Sequence, residues 1–369
     1  MGSVFERRTS RCQAELRRRE ADALVIGPGS NMYYLTGFDD EPSERHLLFV
    51  LPDEGNPTFI APEMYYEQIN TASWVEDIRT WDDTTGPDSI IDSTLSRHNV
   101  KEGDVLVNES LWAKFLLDLQ SKLPETEFER ATLVLDDLRM IKDDDELDSL
   151  SSAASASDEV SREIRSLGDE VIGMTESALV EDINRRLTEG GTGPAFATIV
   201  GSGPNGARPH HRSSDREIRS GDPVVLDFGT TVDRYPGDQT RTVVFDGEPP
   251  DEFETVHATV HAALDAGVDV VEPGITAAEV DRTVRSVIEE AGYGEWFTHR
   301  TGHGVGLDVH EAPYIVAGNN RELEPGMVFS IEPGIYFNDE FGVRIEDLVR
   351  VTENGCERLN DSPRTWKPL

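Results

Sequence analysis

Apolar positions along the chain follow two different patterns. From Ala21 the sequence reads ADALVIG, with Leu24 to Ile26 as an apolar run stopped at a Gly-Pro-Gly turn, and then NMYYLTGF, an aromatic-rich element. HLLFVLP (46–52) and PTFIAP (57–62) are short apolar runs stopped by proline, and DVLVNES (104–110) is another. Runs of this length, bounded by Gly or Pro, predict buried strands. The segment up to about residue 130 therefore reads as an alternating α/β domain, and it contains no cluster of catalytic residue types.

The pattern changes at LDDLRMIKDDDELDSLSSAASASDEV (135–160), a charged stretch that turns into a small-residue helical pattern. A domain boundary is expected there, separating 1–134 from 135–369. Beyond it, Thr175 is placed as an N-cap ahead of Leu179, Val180, Ile183 and Leu187, whose spacing predicts one buried helix face before a glycine stop. The same logic returns at Thr276, where Glu279 completes a capping box, Val280, Val284, Val287 and Ile288 form the stripe, and Gly292 ends it. Each copy leads into a pair of strands carrying acidic residues. An internal repeat of this kind predicts two similar halves facing each other across a cleft.

Composition narrows the class. A chain of 369 residues can bury the cores of two domains. It contains no run of 18 apolar residues, and no apolar segment follows the basic N-terminus, so a cytoplasmic protein without a membrane span is expected. Cys12 and Cys356 have no metal or redox spacing and read as free thiols. Asp and Glu total 72 against 34 Lys and Arg, for a net charge of −38. The acidic residues are spread along the whole chain, which suits a solvated surface in high salt better than an interaction tail. This field would repel a phosphate backbone, so nucleic acid is excluded as a partner.

Against that background, four acidic residues stand out because they interrupt apolar strands. In PVVLDFGTTVDRYPGDQTRTVVF, Asp227 follows Val224, Val225 and Leu226, and Asp238 opens the returning strand. In GMVFSIEPGIYFNDEFGVRIEDLVRV, Glu332 follows Phe329, Ser330 and Ile331, and Glu346 lies between Ile345 and Asp347. A buried carboxylate is costly unless something positive meets it. Ion pairs to Arg241 or Arg344 could serve one such residue, but four converging carboxylates point to divalent metal. Oxygen-rich ligation with one imidazole suits manganese, cobalt, iron or zinc, and two ions can share bridging carboxylates. The nitrogen ligand is assigned to His303 in TGHGVGLDVHEAP, where glycines allow close backbone approach. His310 in the same segment is assigned to the substrate.

Asp227, Asp238, His303, Glu332 and Glu346, within DFG…GDQTRT, TGHGVGLDVHE, SIEPG and VRIED, resemble the dinuclear site of the pita-bread metallopeptidases, family M24, which include methionine aminopeptidase, aminopeptidase P and prolidase. The two-domain layout and the YYLTGF segment are similar to the Xaa-Pro peptidases within that family. The resemblance implies an α/β (α+β) fold, with a creatinase-like N-terminal domain and a pita-bread catalytic domain of pseudo-twofold internal repeat. It further implies a homodimer and two divalent ions per chain, manganese first, with cobalt, zinc or iron as alternatives. Asp227 would chelate one ion, His303 and Glu332 the other, and Asp238 and Glu346 would bridge both. Glu332 would move the proton, with His310 steadying the oxyanion.

The same resemblance assigns substrate contact to His210, in NGARPHHRSSDREIRSGD, and assigns Arg344, two residues before Glu346, to orienting either a substrate carboxylate or the bridging Glu346. His211 stands where relatives often carry glycine. The implied activity is that of an Xaa-Pro dipeptidase acting on a peptide with proline in second position. The alternatives are an aminopeptidase acting on longer peptides, creatinase-like C–N hydrolysis and a metal-free binding protein. Some prolidases carry an arginine after HE-x-P, where this chain has Tyr314, so strict dipeptide preference is not implied. His257 and His261 are spaced i, i+4 but lack a third ligand and read as helix surface. His46, His98 and His299 carry no signal.

Overall fold

The stopped apolar runs of the N-terminal segment become the centre of one mixed sheet. Its strands are β1 (Ala21–Ile26), β2 (Leu48–Pro52), β3 (Thr58–Pro62), β4 (Asp77–Trp81), β5 (Asp104–Val107) and β6 (Phe128–Arg130), in the order β4-β3-β2-β1-β5-β6. β2 and β3 are buried along their whole length, as expected of central strands read as continuous apolar runs. The sheet is accompanied by α1 (Val4–Arg18), α2 (Ser30–Thr36), α3 (Tyr66–Ala72), α4 (Asp88–Arg97), α5 (Ala113–Lys122) and α6 (Thr132–Met140). The structure is a computed structural model describing residues 3–100 and 103–369, and it divides into the units Met1–Arg139 and Met140–Leu369. The division falls at the end of α6, a few residues past the change in composition. α6 stays with the first unit because the Tyr34 hydroxyl donates to the Leu138 carbonyl at 2.8 Å and Arg139 donates to the Asn31 side chain at 2.6 Å.

The second unit repeats one arrangement. Its first half has α7 (Asp144–Ser166) and α8 (Glu176–Gly190), then β7 (Ile199–Ser202), β8 (Val224–Phe228), the short pair β9 (Thr231–Val232) and β10 (Tyr235–Pro236), and β11 (Gln239–Val243). β8 lies between β7 and β11, antiparallel to both. The second half has α9 (Phe253–Val270) and α10 (Ala277–Glu290), then β12 (Gly302–Gly304), β13 (Glu311–Ile315), β14 (Val328–Ile331), β15 (Gly334–Phe337), β16 (Phe341–Arg344), β17 (Asp347–Thr352) and β18 (Gly355–Arg358). Its main sheet runs β13-β12-β14-β17-β18, with β15 and β16 as a separate hairpin.

Capping explains where the two matching helices begin. Thr175 accepts from the Ala178 amide at 3.1 Å ahead of α8, and Thr276 and Glu279 form a reciprocal capping box ahead of α10. The apolar faces they launch are buried: Leu179, Ile183 and Leu187 in one half, Val280, Val284 and Ile288 in the other. Each face joins its own core cluster, so each half has an independent hydrophobic centre. The halves are stitched where the sheets meet, because the Glu346 amide donates to the Thr240 carbonyl at 3.1 Å. Among the described residues no helix is long and apolar enough to cross a membrane.

Candidate metal centre

Strand ends bring the acidic residues together. Asp227 is near the end of β8, opposite Thr240 of β11, and Asp238 stands just before β11. Glu332 directly follows β14, and Glu346 directly precedes β17. His303 is the middle residue of β12, where Gly302 and Gly304 pass so close to the Ser330 and Ala312 carbonyls that a Cβ at either position would collide with backbone. One donor atom each from Asp238, His303 and Glu346 lie within 4.8 Å of one another. His303 Nε2 is 3.4 Å from Glu332 Oε1 and 3.7 Å from Asp238 Oδ2. On the other side of the ring, Nδ1 faces the Gly304 carbonyl at 3.3 Å. A proton held there leaves the Nε2 lone pair directed at the carboxylates.

Asp227 is met by the expected alternative, a cation of the chain itself: Arg344 Nη2 donates to its Oδ2 at 2.6 Å. Arg344 also donates to the Thr240 hydroxyl at 3.0 Å, and that hydroxyl donates to Glu346 Oε2 at 2.7 Å. Arg344 therefore reaches Glu346 only through Thr240. Arg241 pairs with the Asp347 carboxylate at 2.9 Å and donates to the backbone carbonyls of Thr240 and Glu346.

One guanidinium cannot balance four acids, of which Asp238 and Glu346 are buried and Asp227 and Glu332 partly buried. Burial, then the neighbouring Glu346, Asp227 and Glu332, holds the Asp238 carboxyl well above the ordinary carboxylate range. Burial, followed by Glu346, does the same to Glu332. Glu346 is pushed to about 7 by burial and then by Asp227, against the hydrogen bond from Thr240. Asp227 is raised by burial in spite of Arg344. His303 is lowered to about 3 by burial and then by His310, so it is a neutral imidazole at neutral pH. Four acids that take up protons when left to themselves, beside one neutral imidazole, are a donor set that fits hard or borderline divalent cations.

These groups line a cavity of about 1060 Å³, and His210, His211, His299 and His310 line it as well. The rings of His303 and His310 meet edge to face with centroids 4.2 Å apart, so the two histidines of the glycine-rich segment are adjacent. A family model for the Creatinase/Prolidase N-terminal domain matches residues 8–141, and one for metallopeptidase family M24 matches residues 148–353. The chain belongs to family M24.

This M24 chain is 40% identical over 364 residues to a probable dipeptidase PepE of Mycobacterium bovis, covering 98% of this chain and 95% of that one. A crystal structure of recombinant prolidase from Thermococcus sibiricus superposes with a TM-score of 0.94 at 38% identity, covering all of both chains. The X-Pro aminopeptidase of Thermotoga maritima gives a TM-score of 0.84 at 30% identity, covering 97% of this chain and 99% of that one.

Two sequence readings of this M24 peptidase are corrected. His257 is buried on α9, packed against Phe253, and its imidazole pKa is lowered to about 4 by burial and then by His261. The apolar spacing of Phe253, Val256, Val260, Ala263 and Leu264 already placed residue 257 on the inner face. His299, read as carrying no signal, lines the cavity with Nε2 2.9 Å from the Tyr336 hydroxyl, which also accepts from Arg344 at 3.0 Å. Its wall position depends on α10, where Arg285 donates to the His299 carbonyl at 3.0 Å, and no local motif announces that contact. Tyr314 stacks its ring under the Arg300 guanidinium at 4.6 Å.

Proposed function

We propose that this chain is a metal-dependent Xaa-Pro dipeptidase. The observation that carries this reading is the convergence of Asp238, His303 and Glu346 donor atoms within 4.8 Å on the wall of a cavity that four further histidines also line. The relatives named dipeptidase and prolidase, which match over the whole chain, support the substrate class.

In this reading Asp227, Asp238, His303, Glu332 and Glu346 would hold two divalent ions. Manganese comes first for so oxygen-rich a set, with cobalt, zinc or iron as alternatives. Bound there, the cations supply Lewis acidity, lowering the proton affinity of water and polarising the peptide carbonyl. The remaining steps belong to side chains. Glu332 accepts the water proton at Oε1 and delivers it to the departing proline nitrogen. His310, whose imidazole pKa is lowered below its ordinary value by desolvation and then by the nearby Arg300, donates a ring N–H to the carbonyl oxygen as negative charge develops on it. His210, exposed at the cavity rim, contacts the substrate. Arg344 keeps Asp227 in place through their 2.6 Å ion pair.

Asp238→Ala and Glu332→Ala should each abolish hydrolysis of Ala-Pro and lower the bound divalent metal, while circular dichroism stays native. Normal turnover by either variant would overturn the assignment. A second reading, an aminopeptidase acting on longer peptides, is favoured by the cavity volume of about 1060 Å³, which exceeds the needs of a dipeptide. Comparing Ala-Pro with Ala-Pro-Ala decides between the two, because a dipeptidase prefers the first by a wide margin.

A further inference from the structure

The carboxylate of Glu176, at the first turn of α8, is fully buried and accepts six hydrogen bonds. Oε1 receives the Ser202 amide at 2.8 Å, the Ser202 hydroxyl at 2.8 Å and Asn205 Nδ2 at 3.0 Å. Oε2 receives the Ser214 amide at 2.9 Å, the Ser214 hydroxyl at 2.8 Å and His211 Nε2 at 2.8 Å. Ser202 and Ser214 are the two ends of one loop, so a single carboxylate closes its neck. A second fastening lies beside it, where the Ser213 hydroxyl accepts from the Val200 amide of β7 at 2.9 Å.

Inside that loop, the His211 amide donates to the Arg208 carbonyl at 3.0 Å and forms a turn with Pro209 and His210 at its centre. The neighbouring histidines are thereby separated in role. Both line the cavity, but His211 has its ring tied to Glu176, whereas His210 is exposed. Burial acts to raise the Glu176 carboxyl, but the hydrogen bonds outweigh it and hold the group at about 2, so it is a carboxylate at every working pH.

We propose that Glu176 is a positioning residue for the substrate-facing loop: by clamping Ser202, Ser214 and His211 together, it sets His210 at the edge of the cavity. This rests on the reading above in which His210 contacts the substrate. Reaction rates fall steeply when a contact group is misplaced by about 1 Å, which makes a rigid loop neck part of the chemistry.

Glu176→Gln tests this with little change of volume. Each carboxylate oxygen serves a backbone N–H, from Ser202 or from Ser214, so an amide NH2 in either orientation opposes a donor with a donor. Backbone amide exchange over 205–212 should quicken while β8 and β14 keep their protection, and metal content should match the wild type. On Ala-Pro, kcat/KM should fall roughly tenfold to a hundredfold. The decisive readout is the double variant with His210→Ala. If Glu176 acts through His210, Glu176→Gln adds little to the loss already caused by His210→Ala. His211→Phe, which deletes one of the six donors, should show the same non-additivity at smaller size and serves if Glu176→Gln does not fold. Unchanged loop exchange, or losses that multiply with His210→Ala, would overturn the proposal. Full activity in His210→Ala alone would instead sink the substrate role of His210, and the exchange measurement would still decide whether Glu176 holds the loop.

Discussion

Arg344 and Asp227 form an ion pair of 2.6 Å inside a cluster of four carboxylates, and the same guanidinium also serves Thr240 and Tyr336 at 3.0 Å each. A planar fork can satisfy three acceptors in fixed directions, which an ammonium cannot do. Arg344→Lys should therefore keep the charge but loosen both Asp227 and, through Thr240, Glu346. Metal affinity should fall about tenfold to a hundredfold, as for other groups that orient metal ligands. Competition with a chelator measures this, and wild-type affinity would show that charge alone suffices.

His310 lies beside His303 without sharing its proposed task. His310→Ala should lower kcat on Ala-Pro by roughly a hundredfold to a thousandfold, the range for loss of one oxyanion donor. Metal per chain should stay at the wild-type level. Elemental analysis showing lost metal would make His310 a ligand.

Stability should depend on pH through the acids of the centre. In the metal-free protein Glu346 is raised from 4.5 to about 7, and Asp238 and Glu332 are raised well above their ordinary values. The folded state then binds more protons than the unfolded state above pH 4.5, so these groups make stability fall as pH rises towards 7. His303, lowered from 6.5 to about 3, works the opposite way, with its contribution lost as pH falls below 6.5. Divalent cations replace the protons on the acids, so the Tm gain on adding manganese should be larger at pH 7.5 than at pH 5. Thermal scans at both values check this, and an equal gain at the two would contradict it.

Behind Glu346, Asp347 is fully buried and accepts from Arg241 at 2.9 Å, Arg358 at 2.9 Å and Arg364 at 2.6 Å. Asp347→Ala would leave these guanidinia without their shared partner. Removing one member of a buried ionic group costs about 3–5 kcal/mol, and chemical denaturation should show a loss of that size. A shift under about 1 kcal/mol would mean that water replaces the carboxylate at little cost.

The net charge of −38 predicts that stability depends on salt. At about 1 M salt the screening length is near 3 Å, and self-repulsion across the acidic surface is largely removed. Transfer to desalted buffer should lower Tm or unfold the chain. Equal Tm values in 2 M and 0.02 M potassium chloride would rule out adaptation to high salt.

The helices α8 and α10 were legible because capping and apolar spacing are local: Thr175, Thr276 and Glu279 act within one turn of their partners. The four acidic candidate ligands were legible because an acid within or beside an apolar strand is conspicuous in the chain itself, and His303 because it sits in a glycine-rich segment. Glu176 was not. It reads as an ordinary first-turn acid after an N-cap, and all six of its donors come from residues 202–214. His299 was missed for the same reason, since its cavity position comes from Arg285 and Tyr336 in other elements. His257 is a different case, because the inner face of α9 was readable and the i, i+4 spacing drew attention away from it.

The stitch between Thr240 and Glu346 joins the halves by an amide-to-carbonyl bond and a hydroxyl-to-carboxylate bond at the candidate site itself. The halves therefore cannot swing apart like a door without displacing Glu346. Peptides would enter and leave by the mouth of a standing cavity, past the loop that carries His210, with no swing of the halves required.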